Sequence, residues 1–122
     1  MVHKFPFMVA YADTDAAGIA YHARFIEMAE RARMDWARGV KYPDGDAGFV
    51  VRQLDIKYMT PLFPGDDIII ETVPTNIGAA SVKIEQKFLR NDIICAIMHI
   101  TIAYLDSDMR PKAIPDSVRQ VF

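Results

Sequence analysis

Residues 80–105 read ASVKIEQKFLRNDIICAIMHITIAYL. The first half alternates, with Val82, Ile84, Gln86 and Phe88 on one side and Ser81, Lys83, Glu85 and Lys87 on the other. Successive side chains of a β-strand point to opposite faces, so this period of two predicts a strand from Ala80 to Arg90 with one buried face. Asn91-Asp92 supplies a tight turn, and Ile93 to Leu105 follows as a second strand. That second strand is apolar on both faces, which predicts a central position covered on both sides.

Upstream, Phe49 to Tyr58 is rich in β-formers until Pro61, Pro64 and Gly65 break it, and Asp67 to Val73 makes another strand before an Asn76-Ile77-Gly78 turn. Lys4 to Ala12 reads as a first strand, with Pro6 confining it to an edge or a strand end. Residues 22–38 change period: Phe25, Met28, Ala29, Ala32 and Trp36 share a helical face, Arg24, Glu27, Arg31 and Arg38 lie opposite, and Gly39 is a stop. KYPDGDAG, residues 41–48, is turn chemistry and hence a loop. The order β-α-β-β-β-β defines an α+β domain whose last four strands are expected to form an antiparallel meander. One helix covers one face of such a sheet, so at least a homodimer is expected. The apolar residues on both sides of Ile93–Leu105 would otherwise leave a large patch in water, which supports the same expectation.

With 122 residues the chain is long enough for one domain, 1–122, and its 52% hydrophobic and 25% charged content places it among ordinary globular proteins. Fourteen basic and sixteen acidic residues are interspersed to a net charge of −2, so neither nucleic acid nor a membrane is expected as a partner. Cys95 is the single cysteine, which excludes an intrachain disulfide and fits a reducing compartment. The opening residues lack a signal-peptide pattern, and His99 and Thr101 interrupt the longest apolar run; a cytoplasmic location is expected.

The candidate chemistry lies in DTDAAGIAYH, residues 13–22. An Asp or Thr ahead of a helix commonly caps it. Asp13 and Asp15, however, precede the helical period by most of a turn or more, with Ala16, Ala17 and Gly18 between. A segment of such small residues leaves room for a ligand beside the N–H groups of a helix N-terminus, which are placed to polarise a carbonyl oxygen. Spacing alone leaves open which acid would act. Elsewhere, His3 is expected to be solvated, His99 to be a satisfied core histidine, Cys95 to be buried and structural, and Glu30 to be held in a structural pair. No cluster has metal-ligand spacing, so no metal is expected, and no Gly-x-Ser-x-Gly nucleophile motif is present.

Residues 11–33, YADTDAAGIAYHARFIEMAERAR, resemble the opening of the hotdog-fold acyl-CoA thioesterases, the 4-hydroxybenzoyl-CoA thioesterase superfamily. They are most similar to its YbgC-type branch, through Asp-Thr-Asp-x-x-Gly, Tyr-His and Glu-Arg-Ala-Arg, and the PGDD turn at 64–67 extends the likeness. The resemblance implies a curved antiparallel sheet wrapped around one long helix, with two units joined into a continuous sheet and, given the apolar sides of Ile93–Leu105, such dimers stacked into a homotetramer, a dimer of dimers. It implies hydrolysis of an acyl-CoA thioester, short-chain or aromatic, to a carboxylic acid and CoA. Asp15 is then the catalytic carboxylate, as nucleophile or general base; the His22 backbone N–H polarises the carbonyl and the His22 side chain takes part; Asp13 is structural. No cofactor is implied, CoA being part of the substrate. Lys57, Lys83, Lys87 and Arg90 are candidates to meet the CoA phosphates, but the Gly78-Ala79-Ala80-Ser81 turn lacks the arginines of 4-hydroxybenzoyl-CoA thioesterase and Leu62-Phe63 replaces a position often charged in the branch. The CoA-contacting residues are therefore left unassigned. A hotdog hydratase or dehydratase, and a non-catalytic acyl-thioester-binding module, are the alternatives.

Overall fold

The computed structural model describes residues 2–43 and 45–122. Five strands, β1 (His3–Met8), β2 (Gly48–Tyr58), β3 (Asp67–Ile77), β4 (Ser81–Arg90) and β5 (Ile93–Leu105), form one antiparallel sheet in the order β1-β3-β4-β5-β2. Helix α1 (Arg24–Trp36) packs on one face, and a short helix, α2 (Asp116–Arg119), closes the C-terminal end. Among the described residues no helix is long and apolar enough to cross a membrane.

Hydrophobic alternation decides which face of the sheet meets α1. Val82, Ile84 and Phe88 of β4, Ile68 and Ile70 of β3, and Ala96, Met98, Ile100 and Ile102 of β5 are buried with Phe25, Met28, Ala29 and Ala32 of the helix. Phe25 meets Phe88 edge-on at 5.1 Å between ring centroids. Two polar side chains share this layer. Gln86 Nε2 donates to the Ala29 carbonyl and to Thr72 Oγ1, both at 3.0 Å, and Gln86 Oε1 accepts from Arg33 at 3.0 Å. Buried amides are tolerated only with such partners, so this network fixes the helix over β3 and β4.

The structure corrects several sequence expectations. The meander has three strands, β3-β4-β5, because β2 pairs with β5, from Gly48 opposite Leu105 to Tyr58 opposite Ala96, rather than with β3. The chain leaves β2 across β5, where Met59 and Thr60 both donate to the Cys95 carbonyl, and this carries it towards the far side of the sheet. The first strand ends at Met8, not Ala12, since Tyr11–Asp13 coils into a 3-10 turn. Pro6 does lie in an edge strand. β3 runs on to Ile77, past Pro74 and Asn76, by a bulge between them, and the turn falls after Gly78. The helix is shorter than 22–38, and Gly39, at φ +85°, follows its end. His99 is exposed on β5, 3.1 Å from Glu85, not in the core, and His3 is held by Asp35 at 2.9 Å rather than solvated.

Candidate active site

Two backbone devices build the region around Asp15. The first is a small antiparallel hairpin: Tyr21 N–H donates to the Asp13 carbonyl and Asp15 N–H to Ile19, with Thr14 bridged to Ala20. Ala16-Ala17-Gly18 forms its three-residue loop, closed by Gly18 N–H donating to the Asp15 carbonyl at 2.9 Å. Gly18 sits at φ +79°, the left-handed conformation that such a loop requires and that glycine adopts without strain. The second is docking: Ala20 N–H donates to the Leu62 carbonyl at 2.8 Å, which ties the hairpin to the segment before β3.

Neither acid caps α1. The helix begins after Ala23, which makes no side-chain cap. Asp13 is committed to structure, one carboxylate oxygen accepting from Ala10 N–H at 2.8 Å and the other from Arg24 Nε at 3.0 Å. Asp15 is exposed; its Oδ1 accepts from Ala17 N–H at 2.9 Å, and among the described residues its second oxygen has no donor. The two acids of one motif thus part into an anchor and an available carboxylate.

Asp15 and His22 line one cavity of about 390 Å³ together with Ile19, Ala20, Phe25, Tyr58 and Met59. No hydrogen bond or ion pair joins the two side chains, so the space between them is open to a substrate. The His22 backbone N–H, like that of Ala23, has no acceptor among the described residues. These are the orphan donors of a helix entrance, carrying the positive end of its dipole. On the other side of the same residue, the His22 carbonyl accepts from the Tyr58 hydroxyl at 2.6 Å. Tyr58 also packs edge-on against Phe25 at 5.2 Å, and burial pushes its phenol up, which keeps it a donor.

Tyr58, Met59, Thr60 and Pro61, at the exit of β2, complete the cavity and were not singled out from the sequence. The only local sign was an aromatic residue ending a strand just before a proline. Of the proposed phosphate contacts, Arg90 is taken up by Asp66 at 3.0 Å and the Pro61 carbonyl at 3.1 Å, Lys87 lies 3.7 Å from Glu85, and none of the four lines this cavity. Glu30 forms no ion pair within 4 Å among the described residues, and Cys95 is fully buried. Among the described residues no group of three or more His, Cys, Asp or Glu side chains is placed to hold a metal ion.

The architecture has close counterparts. The chain is 32% identical to the acyl-CoA thioesterase YbgC of Haemophilus influenzae, over 98% of this chain and 93% of that one. A probable thioesterase from Bartonella henselae superposes with a TM-score of 0.85 at 27% identity, covering 94% of this chain and all of the other. A 1,4-dihydroxy-2-naphthoyl-CoA thioesterase from Synechocystis shares the hotdog fold at a TM-score of 0.89 and 17% identity, over 99% and 95% of the two chains. The thioesterase-like superfamily model matches residues 9–122, a span that holds the Asp15 hairpin, the open helix entrance and every strand after β1. With that span matched and the fold in agreement, the chain belongs to the thioesterase-like superfamily.

Proposed function

We propose that the protein hydrolyses acyl-CoA thioesters in the Asp15–His22 cavity. The observation that carries this is the pairing of one donor-free carboxylate oxygen on Asp15 with unpaired N–H groups at His22 and Ala23 around one cavity. A thioester carbonyl oxygen placed on those N–H groups has its developing negative charge stabilised as the carbon turns tetrahedral. Asp15 then acts by one of two routes. As nucleophile, its free oxygen bonds to the carbonyl carbon, CoA leaves as thiolate, and water cleaves the resulting anhydride to release the acid. As general base, it takes a proton from water while that water's oxygen attacks. The His22 ring gives a proton to the departing thiolate in either case. The reaction uses no cofactor beyond the CoA within its substrate, and it fits a cytoplasmic protein whose one cysteine stays reduced.

The unit we propose is a homodimer. β2 is eleven residues long and pairs on one side only, with Val51 47% exposed along it. An open edge of that length is a template for a second strand, and a second copy of β2 satisfies it by two-fold symmetry. The expected tetramer stacks two such dimers through the outer side of β5, where Ile93 is 49% exposed while Cys95 and Ala103 are buried within one chain. Light scattering reads the outcome: a dimer agrees, and a monomer that remains fully active overturns the paired unit.

An acyl-CoA panel with a thiol-reactive dye tests the activity. Release of CoA thiol is expected; loss of enoyl absorbance without thiol would assign a hydratase, and binding without turnover a carrier module. A single turnover in ¹⁸O-water tests the nucleophilic route: label in the Asp15 carboxylate assigns it, with water opening the anhydride at the Asp15 carboxyl carbon, whereas attack at the acyl carbon, like the general-base route, labels the released acid.

A further inference from the structure

The bond that docks the Asp15 hairpin, from Ala20 N–H to the Leu62 carbonyl at 2.8 Å, ends on a loop that is itself held by a charge. The peptide unit carrying that carbonyl presents the Phe63 N–H on its other side, which donates to Asp66 Oδ2 at 2.8 Å. The same Asp66 oxygen accepts from Arg90 Nη1 at 3.0 Å, and Arg90 Nη1 also donates to the Pro61 carbonyl at 3.1 Å. Two hydrogens on one guanidinium nitrogen suffice for both bonds. Arg90 is the last residue of β4, so two successive peptide units of the loop, Pro61–Leu62 and Leu62–Phe63, are fixed from the sheet by one cation and one carboxylate. Farther along the loop, Gly65 N–H donates to the Val9 carbonyl at 2.7 Å, and Val9 N–H to that of Asp66 at 2.9 Å.

Both fixed peptide units belong to the reaction side of the fold. Thr60 and Pro61 line the Asp15–His22 cavity together with Ile19 and Ala20 of the hairpin. Within the hairpin, Ala20 stands between Ile19, whose carbonyl accepts from Asp15 N–H, and Tyr21, whose N–H donates to the Asp13 carbonyl. A shift of the loop therefore passes through the Ala20 bond to the backbone that carries the Asp15 carboxylate. The Arg90 and Asp66 side chains are 24% and 23% exposed, and a pair in that much water adds little to stability by attraction alone. Its effect on orientation is larger, because a misplacement of about 1 Å from a residue remote from the chemistry costs up to about a hundredfold in rate.

We infer that Arg90 and Asp66 are positioning residues for the reaction at Asp15. Together they set the hairpin against the Thr60–Pro61 wall, and with it the place of the Asp15 carboxylate relative to a bound thioester. Neither side chain lines the cavity or meets the substrate; both act through the Leu62 carbonyl and the Ala20 N–H. The inference rests on the hydrolysis proposed above.

Arg90→Met keeps an unbranched stem and removes the donors. In the folded variant kcat is expected to fall about ten- to a hundredfold, with KM within about threefold of wild type. Exchange of the Ala20 amide, followed by NMR, is expected to quicken at least about tenfold relative to the amides of α1, since the carbonyl that protects it is no longer held. In an Asp15→Asn background the same substitution is expected to cost less than about twofold, because misplacing a group that has lost its charge has little further effect. Arg90→Lys keeps a cation beside Asp66 and is expected to regain kcat to within about threefold of wild type. Should Arg90→Met fail to fold, Asp66→Asn retains an oxygen for the Phe63 N–H but weakens the pair, and at least about a threefold loss in kcat and in Ala20 protection is expected. Unchanged kcat in folded Arg90→Met or Asp66→Asn overturns the inference, as does an equal loss with and without the Asp15 carboxylate, which would make the pair a stabiliser only. Faster Ala20 exchange in a protein that hydrolyses no acyl-CoA keeps the link from Arg90 to the hairpin and removes the activity; hydrolysis that is indifferent to Arg90 does the reverse.

Discussion

The Tyr58 hydroxyl and the His22 carbonyl, 36 residues apart in the chain, are joined by a hydrogen bond of 2.6 Å. The bond ties the last residue of β2 to the turn that opens α1 and holds the backbone there in one orientation. The free N–H of His22 belongs to the same residue, so the sheet sets where the helix entrance aims its donors.

Tyr58→Phe keeps the ring against Phe25 and removes only the hydroxyl. A hydrogen bond of this kind contributes about 1 kcal/mol net, so kcat is expected to fall about fivefold with KM little changed. Steady-state kinetics with a matched melting curve checks it. A loss confined to melting temperature would make Tyr58 structural only.

Asp15→Asn retains an oxygen for the Ala17 N–H, so the hairpin is expected to persist while the negative charge is lost. Turnover should fall on the order of 10²–10⁴-fold. A fall of less than threefold would remove Asp15 from the chemistry. His22→Ala is expected to cost less, since its backbone N–H survives. Asp13→Asn loses the ion pair with Arg24 and is expected to act on melting temperature.

Tyr104 donates to Asp46 at 2.7 Å, and Lys112 reaches the same carboxylate at 2.9 Å. Burial and Asp46 push the Tyr104 phenol up to about 12, while Lys112 and then Tyr104 hold Asp46 below the usual carboxylate range. A raised phenol pKa gives stability that is complete below the unfolded value of about 10 and lost as the pH climbs towards 12. A depressed carboxylate gives stability present above about pH 4 and lost on further acidification. Phenolate absorbance is expected to show one tyrosine titrating last, and Asp46→Asn to bring it down. Coincident titration of all five tyrosines would contradict the pairing.

Val51→Lys places a solvated cation on the open edge of β2, a device that blocks strand pairing in natural sheets. Light scattering is expected to show monomer, with reduced hydrolysis. An intact dimer would move the interface away from β2.

How far the sequence could be read follows from the range of the interactions. The period of two in β4, the helical stripe of Phe25, Met28, Ala29 and Ala32, and Pro6 in an edge strand depend on residues near one another, and all are found. The pairing of β2 with β5 is a long-range choice with no local signature. Pro74 and Asn76 carry turn chemistry, yet a bulge absorbs them into β3. At the candidate site, the carboxylate and the helix entrance lie in one segment and were legible together. Tyr58 arrives from another element through that same long-range pairing, and the contact between Arg33 and Gln86 likewise spans 53 residues.

The two edges of the sheet have different valence. At β1 the strand is six residues long and Pro6 offers no N–H, whereas β2 presents eleven residues without a proline. Growth by strand addition therefore has one acceptor per chain. Two such chains exhaust each other, and what remains outward on either end is the edge least able to recruit a third. An assembly made this way stops at a closed pair and does not lengthen into a fibre, however high its concentration.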